Sequence, residues 1–260
     1  MKKITTYSIA ALAGIFLLSA CTATTAHKEE ASAHHAKHWG YTADVGPSHW
    51  SKLNEKFHMC SEGNQQSPIN IVPTTDTDLA PLNLNYSTGS ATIIDNGHTV
   101  QVNITDGSTL MIEGVAYKLK QFHFHTPSEN NINGVTYPLE AHFVHATDDG
   151  KLAVVAVMFQ EGEANPILAK IWNKLPKLKR GTLEKCGLSS DEVNALMPNN
   201  KDYYKFSGSL TTPPCSEEVK WHVYKTPLTV SKEQATQFTA LFGHPNNRPI
   251  QLSNDRKIEE

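Results

Sequence analysis

The sequence lacks a marked excess of charge of either sign. It carries 23 Lys and Arg residues against 26 Asp and Glu, and it has no basic cluster interleaved with aromatic residues. The charge pattern therefore does not predict binding to nucleic acid. The start of the sequence also lacks an apolar run long enough to cross a membrane, because Ile9 to Leu18 spans ten residues and a spanning helix needs about 20. Since Lys2 and Lys3 precede this run, we expect residues 1–20 to be a signal peptide.

Cysteine is scarce, with four in 260 residues. The first, Cys21, follows Leu18-Ser19-Ala20, a pattern similar to the lipobox of bacterial lipoproteins. It predicts cleavage before Cys21 and lipidation of its sulfur, with an ordinary secretory signal as the alternative. Cys60, Cys186 and Cys215 remain, so we expect one disulfide and one free thiol in an oxidising compartment. The count alone does not say which two pair.

Residues 22–37 contain no Phe, Ile, Leu, Val or Trp. A segment that cannot bury apolar surface stays flexible, so we expect residues 21–37 to form a polar tether. Residues 38–260 have the length of one large β-rich domain. With a lipidated Cys21, the protein is expected in the periplasm, held to a membrane only through its lipid anchor.

Strand signals dominate the middle of the domain, where short alternating or β-branched runs are separated by turn residues. Asn96-Gly97 indicates a tight hairpin, which needs positive φ at both central residues, and Asp148-Asp149-Gly150 indicates another turn. Neighbouring runs should therefore pair antiparallel. The predicted strands are Ala91–Asp95, His98–Ile104, Val115–His125, Leu139–Ala146 and Leu152–Gln160.

Helix signals are few. Asn165-Pro166 offers an N-cap and a first-turn proline for a helix that runs to about Leu175. Ser231 begins a capping box, and Gly243 is placed to end that helix. A short third helix is expected from Ser190 to Leu196. The sequence thus predicts one mainly β domain with peripheral helices.

A metal site is predicted from the segment Gln121–His125, in which polar and aromatic residues alternate. Because side chains of a strand alternate between faces, His123 and His125 share one face while the phenyl rings share the other. Such a pair is a ready bidentate metal site, although paired histidines in a strand are more often ordinary core or surface residues.

A second segment, Glu140–His145, favours the metal site. Because side chains alternate between the two faces of a strand, His142 and His145 lie on opposite faces. By this alternation His142 is the better third ligand. Three neutral imidazoles with an open fourth position are typical of catalytic zinc, whereas structural zinc usually has four protein ligands. The sequence has no C-x-x-C to complete such a shell.

Gln121 and Glu140 each stand two residues before a predicted ligand, on the same strand face. A ligating imidazole needs a hydrogen bond at its other ring nitrogen, which fixes its tautomer and orientation. We therefore expect these two side chains to supply such bonds, with a solvated polar strand position as the alternative.

Several motifs follow one another over nearly all of residues 38–256. They are His38-Trp39-Gly40-Tyr41, Gln65–Ile71, Asn96-Gly97-His98, Gln121–His125, Ser128-Glu129, Glu140–His145, Gly208–Cys215 and Asn247-Arg248-Pro249. In this order and spacing they resemble the α-class carbonic anhydrases of bacteria. The resemblance implies a large twisted, mostly antiparallel central sheet with short peripheral helices, and a conical cavity that reaches a zinc ion. The implied reaction is the reversible hydration of carbon dioxide to bicarbonate and a proton.

The resemblance also assigns roles to single residues. It makes His123, His125 and His142 the zinc ligands and Thr211 the acceptor of a hydrogen bond from the reactive water species. Glu129 would take the proton of the Thr211 hydroxyl and so set the direction of these bonds. The position of His98 matches the family's proton shuttle, a task that suits an imidazole. An apolar wall for carbon dioxide, with Thr212 on its polar side, is expected from Val144, Val154, Leu210 and Trp221.

The resemblance pairs Cys60 with Cys215, because many bacterial and extracellular members have that disulfide. Cys186 is then either buried or available for an intermolecular bridge. The expected partners are carbon dioxide and bicarbonate, sulfonamide-type inhibitors and a second copy of the chain in a homodimer.

Two alternatives stand beside the enzyme. A zinc hydrolase of small esters would be a side activity of the same site. A non-catalytic periplasmic zinc-binding lipoprotein is motivated by the histidines near the tether, which are His27, His34, His35 and His38.

Overall fold

The computed structural model describes residues 38–87, 91–105 and 107–260. The predicted signal peptide, the tether and the lipidation site Cys21 lie outside these residues. No helix of the described part is long and apolar enough to cross a membrane. Thirteen strands occur in it: β1 Asn70–Ile71, β2 Asn83–Asn85, β3 Ala91–Asp95, β4 Val100–Ile104, β5 Thr109–Ile112, β6 Val115–His125, β7 Asn131–Ile132, β8 Leu139–Ala146, β9 Leu152–Glu161, β10 Glu184–Lys185, β11 Tyr203–Gly208, β12 Val219–Tyr224 and β13 Leu228–Val230.

The central sheet contains eleven of these strands and is mostly antiparallel, as predicted. Its order is β10-β3-β4-β6-β8-β9-β12-β11, with β5 beside β6, β2 beside β5 and β13 beside β9. The sheet is mixed, because β12 and β13 both run parallel to β9. The remaining two strands, β1 and β7, form a small parallel pair.

The predicted hairpin between β3 and β4 exists, but its loop is longer than a tight two-residue turn. Asp95 pairs with Val100, so four residues form the loop. Gly97 has a φ of 89°, whereas Asn96 does not adopt positive φ. The Asn96 side chain instead accepts hydrogen bonds from the backbone N–H groups of His98 and Thr99. His98 therefore lies in the loop and not in β4, which begins at Val100.

Short helices surround the sheet. The described helices are α1 Trp50–Leu53, α2 Met59–Glu62, α3 Pro166–Trp172, α4 Ser190–Asn194 and α5 Lys232–Phe242. The N-cap at Asn165 and the capping box at Ser231 are present, and Gly243 ends α5 with a φ of 70°. Two helices end earlier than expected, at Trp172 and Asn194. After Trp172 the chain continues in a separate 3-10 turn that contains Pro176. A proline has no backbone N–H to donate to the carbonyl four residues earlier, which here is that of Trp172, so the α-helix does not continue.

A bulge in β6 decides which side chains face the main core. The register with β8 shifts between Leu119 and Gln121, which leaves Lys120 as an extra residue. Leu119 and Phe122, on either side of the bulge, both pack in the larger apolar cluster, and strict alternation would separate them. The extra residue reverses the parity of the strand. The shift thereby places His123 on the face of the sheet opposite to this larger cluster. A smaller apolar cluster, which includes Val154, Phe206 and Trp221, lies on the same face as His123.

The predicted disulfide between Cys60 and Cys215 is present, and it joins positions 155 residues apart. The carbonyl of Cys60 accepts a hydrogen bond from the buried Arg248 guanidinium at 2.9 Å. Cys186 is the free cysteine among the described residues. It is 2% exposed, and burial raises the pKa of its thiol to about 11. Of the two expected fates of Cys186, the structure shows the buried one.

Removal of the disulfide should destabilise the domain strongly, because the bond closes a very long loop in the unfolded chain. We expect the Cys60→Ser/Cys215→Ser variant to lose about 2–5 kcal/mol of unfolding free energy. Chemical denaturation of the two proteins measures this loss. As a control, dithiothreitol should lower the midpoint of the parent protein and leave that of the double variant unchanged. Equal midpoints for parent and variant would contradict the prediction.

Candidate metal centre

Three histidines converge on one face of the central sheet. His123 and His125 come from β6, and His142 lies directly opposite His123 on β8. One ring nitrogen of each lies within 4.8 Å of a ring nitrogen of the other two. His125 and His142 are almost fully buried. His145, the competing histidine of β8, lies on the other face, where its Nε2 is 2.9 Å from the hydroxyl of Tyr86.

Two of the converging rings are oriented by hydrogen bonds at their Nδ1 atoms. His123 Nδ1 lies 2.8 Å from Oε1 of Gln121, as the strand parity predicted. His125 Nδ1 lies 2.7 Å from the backbone carbonyl oxygen of Asn246. Because these oxygens accept, both Nδ1 atoms carry the proton and both Nε2 atoms are left with a free lone pair.

The third ring is oriented in the opposite sense. His142 Nε2 lies 2.8 Å from Oε1 of Glu140, although the angle is not that of a regular hydrogen bond. This contact leaves Nδ1 of His142 for a metal. Glu140 is itself held by the backbone N–H groups of Glu129 and Asn130 and by the Asn130 side chain, at 2.7 to 2.9 Å. These hydrogen bonds from Glu129 and Asn130 fix the Glu140 carboxylate in its contact with His142.

The electrostatics of the three rings suit a cation. Burial, together with the neighbouring His125 and His142, lowers the pKa of His123 well below its usual value. Burial also lowers the pKa of His125, although its hydrogen bond to Asn246 acts in the other direction. Neutral imidazole is the form that binds metal. A buried His125 Nε2 without a hydrogen-bond partner and three converging imidazole nitrogens fit a zinc ion with an open fourth position.

Glu129 lies beside the three rings and is fully buried. Its Oε1 accepts a hydrogen bond from the backbone N–H of Arg248 at 2.8 Å, and its carboxyl group is hydrogen-bonded with the side chain of Thr211. Oε2 lies 3.4 Å from His125 Nε2 and 3.9 Å from His142 Nδ1. Burial raises the pKa of Glu129 to about 7. A cation held by the three rings would oppose this shift, since positive charge favours the carboxylate.

The residues expected to form an apolar wall lie together on the face of the three rings. Val144 pairs with Val154, which in turn pairs with Trp221 across β8, β9 and β12. Val154 and Trp221 belong to the smaller apolar cluster, and the partly buried Val144 and Leu210 pack against it. The indole of Trp221 meets the ring of His142 edge-on, with centroids 5.0 Å apart. The structure thus brings these side chains to the site.

A cavity of about 110 Å³ opens on this face. Its lining includes His123, His125, His98 and Thr212, together with Trp39 and Tyr41 at the rim. A larger groove of about 680 Å³ lies elsewhere and contains Lys205, Lys220 and Arg256. Lys205 and Lys220 are within ion-pair distance of glutamates, and the Arg256 guanidinium donates to backbone carbonyls. The smaller cavity, and not this groove, contains two of the converging histidines.

His98 is half-buried at the cavity rim. Its Nε2 lies 2.8 Å from Nε2 of His38, and its ring stacks on the indole of Trp39 with centroids 3.6 Å apart. Burial and the charges of His38, Arg180 and His244 lower its pKa to about 4. The structure therefore surrounds the predicted shuttle with groups that disfavour its charged form.

Sequence reasoning missed three residues of this site. Asn246 and Arg248 act through backbone groups and come from a loop more than a hundred residues beyond the histidines, so no side-chain pattern indicates them. The Asn247-Arg248-Pro249 motif marked the loop without assigning it a role. Asn130, which holds Glu140, directly follows Glu129 and was detectable only as a polar neighbour.

Comparisons with known proteins agree with this geometry. Residues 45–260 match the family model for the eukaryotic-type carbonic anhydrases. A carbonic anhydrase from Pectobacterium carotovorum is 48% identical over 228 residues, which cover 88% of this chain and 93% of the relative.

Solved structures are similar as well. A hyperthermostable carbonic anhydrase identified from an active hydrothermal vent chimney superimposes with a TM-score of 0.81 at 46% identity, over 86% of this chain and 99% of that one. The α-carbonic anhydrase from Thermovibrio ammonificans, in complex with the inhibitor sulfanilamide, superimposes with a TM-score of 0.80 at 41% identity and the same coverage.

The contact between Glu140 and His142 predicts a large effect on zinc affinity. We expect Glu140→Gln to weaken zinc binding about 10- to 100-fold, because the amide no longer holds the His142 ring by charge. Competition with a chromophoric chelator measures the affinity. Glu163→Gln, at an exposed glutamate, is the matched control and should bind zinc like the parent protein. Unchanged affinity in Glu140→Gln would show that the contact does not support metal binding.

Proposed function

The chain belongs to the family of α-class carbonic anhydrases, which are lyases, and we propose that it catalyses the zinc-dependent, reversible hydration of carbon dioxide to bicarbonate and a proton. The observation that carries this proposal is the convergence of three imidazole nitrogens beside the buried carboxyl group of Glu129. A zinc ion held by His123, His125 and His142 supplies Lewis-acid activation of a water molecule.

Thr211 and Glu129 are proposed to orient the reactive water species. With Glu129 as the acceptor, the Thr211 hydroxyl donates its proton to the carboxylate and keeps its lone pairs for a donor in the cavity. The Arg248 backbone N–H and the burial of Glu129 hold the carboxylate in place. This arrangement favours one direction of hydrogen bonding and so reduces the number of unproductive orientations.

Carbon dioxide is apolar, and we propose that it binds against Val144, Val154, Leu210 and Trp221. The support for this assignment is that Val154 and Trp221 belong to one apolar cluster on the face of the three histidines, and that the partly buried Val144 and Leu210 pack against it. Thr212, which lines the cavity, offers a polar side chain at the opposite edge. An apolar pocket beside a polar group binds the substrate weakly and orients its carbon atom.

Each turnover releases a proton, and we propose that His98 carries it from the cavity to solvent. His98 lines the same cavity as His123 and His125, so ordered water can connect them. Imidazole suits this task near neutral pH. Burial and the charges of neighbouring residues lower the pKa of His98, so these neighbours affect how readily it takes up a proton.

The proposal includes a location and a class of inhibitor. The disulfide indicates an extracytoplasmic compartment. We propose export by the signal peptide and a periplasmic location, with tethering through a lipidated Cys21. Sulfonamides are proposed as inhibitors because a similar carbonic anhydrase has been solved with sulfanilamide. The non-catalytic zinc-binding alternative is not favoured, since the candidate zinc ligands and Thr211 and Glu129 are all present.

Stopped-flow measurement of carbon dioxide hydration tests the proposed function. We expect the zinc-loaded protein to hydrate carbon dioxide far above the buffer rate. Dialysis against a chelator should remove this activity because the three imidazoles hold the metal, and added zinc should restore it. The absence of hydration above buffer with stoichiometric zinc bound would show that the enzyme assignment is wrong.

The direction of hydrogen bonding at Thr211 leads to a separate prediction. Thr211→Ala should lower kcat/KM roughly 100-fold or more, because the transition state loses an oriented hydrogen-bond partner. Thr211→Ser keeps the hydroxyl and should retain most of the activity. Steady-state hydration kinetics of the two variants, both zinc-loaded, provide the comparison. If alanine and serine give the same rate, the hydroxyl of Thr211 has no part in the reaction.

A further inference from the structure

A cluster of rings at the cavity rim contains a histidine to which the proposed reaction gives no role. His38 is exposed, and its Nε2 lies 2.8 Å from Nε2 of His98. The planes of His98 and Trp39 are within 8° of parallel, so the indole supports one face of the His98 ring. His98 is therefore fixed on its face by stacking and at its edge by a second imidazole.

Two ring nitrogens at hydrogen-bond distance require that one of them carries a proton and the other a free lone pair. When His98 donates from Nε2, its Nδ1 is the nitrogen that takes up a further proton. A neutral His38 then accepts a charge-assisted hydrogen bond and favours protonated His98. A charged His38 repels it. One proton between the two facing nitrogens therefore satisfies both rings, whereas a positive charge on each ring would place two like charges side by side.

The other surroundings of His98 disfavour a positive charge. Burial has the largest effect on its pKa, and the charges of His38, Arg180 and His244 lower it further. Only a neutral His38 adds nothing to this repulsion. Asp95 lies 3.8 Å from Arg180 and offsets part of that charge. The Tyr41 ring meets His98 edge-on, with centroids 6.3 Å apart. Against these groups, a neutral His38 acts in the opposite direction.

We propose that His38 is a positioning residue for proton export. It orients His98, the proton acceptor, and stabilises the protonated His98 ring by accepting a hydrogen bond from it. This inference rests on the proposed function, in which His98 carries protons out of the cavity. In the proposed step, Nδ1 of His98 takes a proton from cavity water while Nε2–H remains bonded to His38. The same Nδ1 then gives the proton to buffer or bulk water. No proton passes to His38. It acts by orienting the His98 ring and by stabilising the positive charge on that ring.

Two substitutions separate hydrogen bonding from proton transfer by His38 itself. Glutamine has an amide oxygen that accepts the hydrogen bond but does not titrate, whereas alanine removes both properties. We expect zinc-loaded His38→Ala to lose about 3- to 10-fold of the hydration rate in weak buffer, while His38→Gln retains most of it. A high concentration of imidazole should restore the alanine variant. His98→Ala is the reference for complete loss of the shuttle, and His58→Ala, at an exposed histidine, is the matched control.

A second measurement does not depend on catalysis. The ring resonances of His98, followed by NMR against pH, should give a higher pKa in His38→Gln than in His38→Ala. The reason is that the amide oxygen stabilises the charged ring and alanine does not.

The outcomes distinguish the alternatives. An unchanged weak-buffer rate in His38→Ala overturns the proposal. Equal losses in His38→Gln and His38→Ala also overturn it, because His38 would then transfer the proton itself. If the zinc-loaded parent shows no hydration even in concentrated imidazole, the proposed function fails instead. The NMR comparison would still test the hydrogen bond in that case.

Discussion

The site depends on the hydrogen bonds made by the ring nitrogens that face away from the candidate metal position. A buried imidazole binds metal only when it is neutral and its second nitrogen is satisfied. The amide of Gln121 and the backbone carbonyl of Asn246 meet this need by hydrogen bonds, and the carboxylate of Glu140 lies 2.8 Å from the outward nitrogen of His142. Of these three different acceptors, Gln121 and Glu140 stand on the same strands as their histidines, and Asn246 comes from a distant loop. The sheet and the loop must therefore be correctly folded together before three lone pairs can converge.

The central sheet separates two kinds of core. One face carries the larger apolar cluster, and the other carries the histidines, the proposed carbon dioxide wall and a smaller apolar cluster. The bulge at Lys120 permits this division within one long strand, because it reverses the alternation between Leu119 and Phe122. Without the extra residue, His123 would share a face with Leu119. A local irregularity of the backbone thus positions the ligands while the strand remains continuous.

The loop at residues 246–248 connects the site to the rest of the fold. Its Asn246 carbonyl orients His125, and the backbone N–H of Arg248 holds Glu129. The Arg248 guanidinium is buried and donates to the carbonyl of Cys60, one end of the disulfide. The other end of the disulfide follows Thr211 by four residues. The disulfide, the loop and the two proposed orienting residues therefore form one connected network, so a change at the disulfide affects the surroundings of Thr211.

Much of this protein was predictable from local patterns. The period-two alternation predicted β6, β8 and their pairing, and the same parity placed Gln121 and Glu140 beside their histidines and His145 on the opposite face. The capping residues predicted where α3 and α5 begin. Motif order pointed to the Cys60–Cys215 disulfide, which spacing alone left open.

What local patterns did not contain was decided by contacts between distant segments. The periodicity of the sequence does not indicate the parallel pairing of β9 with β12, the bulge at Lys120 or the contact of the Asn246 carbonyl. Each of these depends on how distant backbone segments approach one another in the folded sheet. The sequence by itself therefore indicated the residues that we propose to carry the chemistry. Only the tertiary structure decided which nitrogen of each ring is free, since that depends on acceptors brought together by folding.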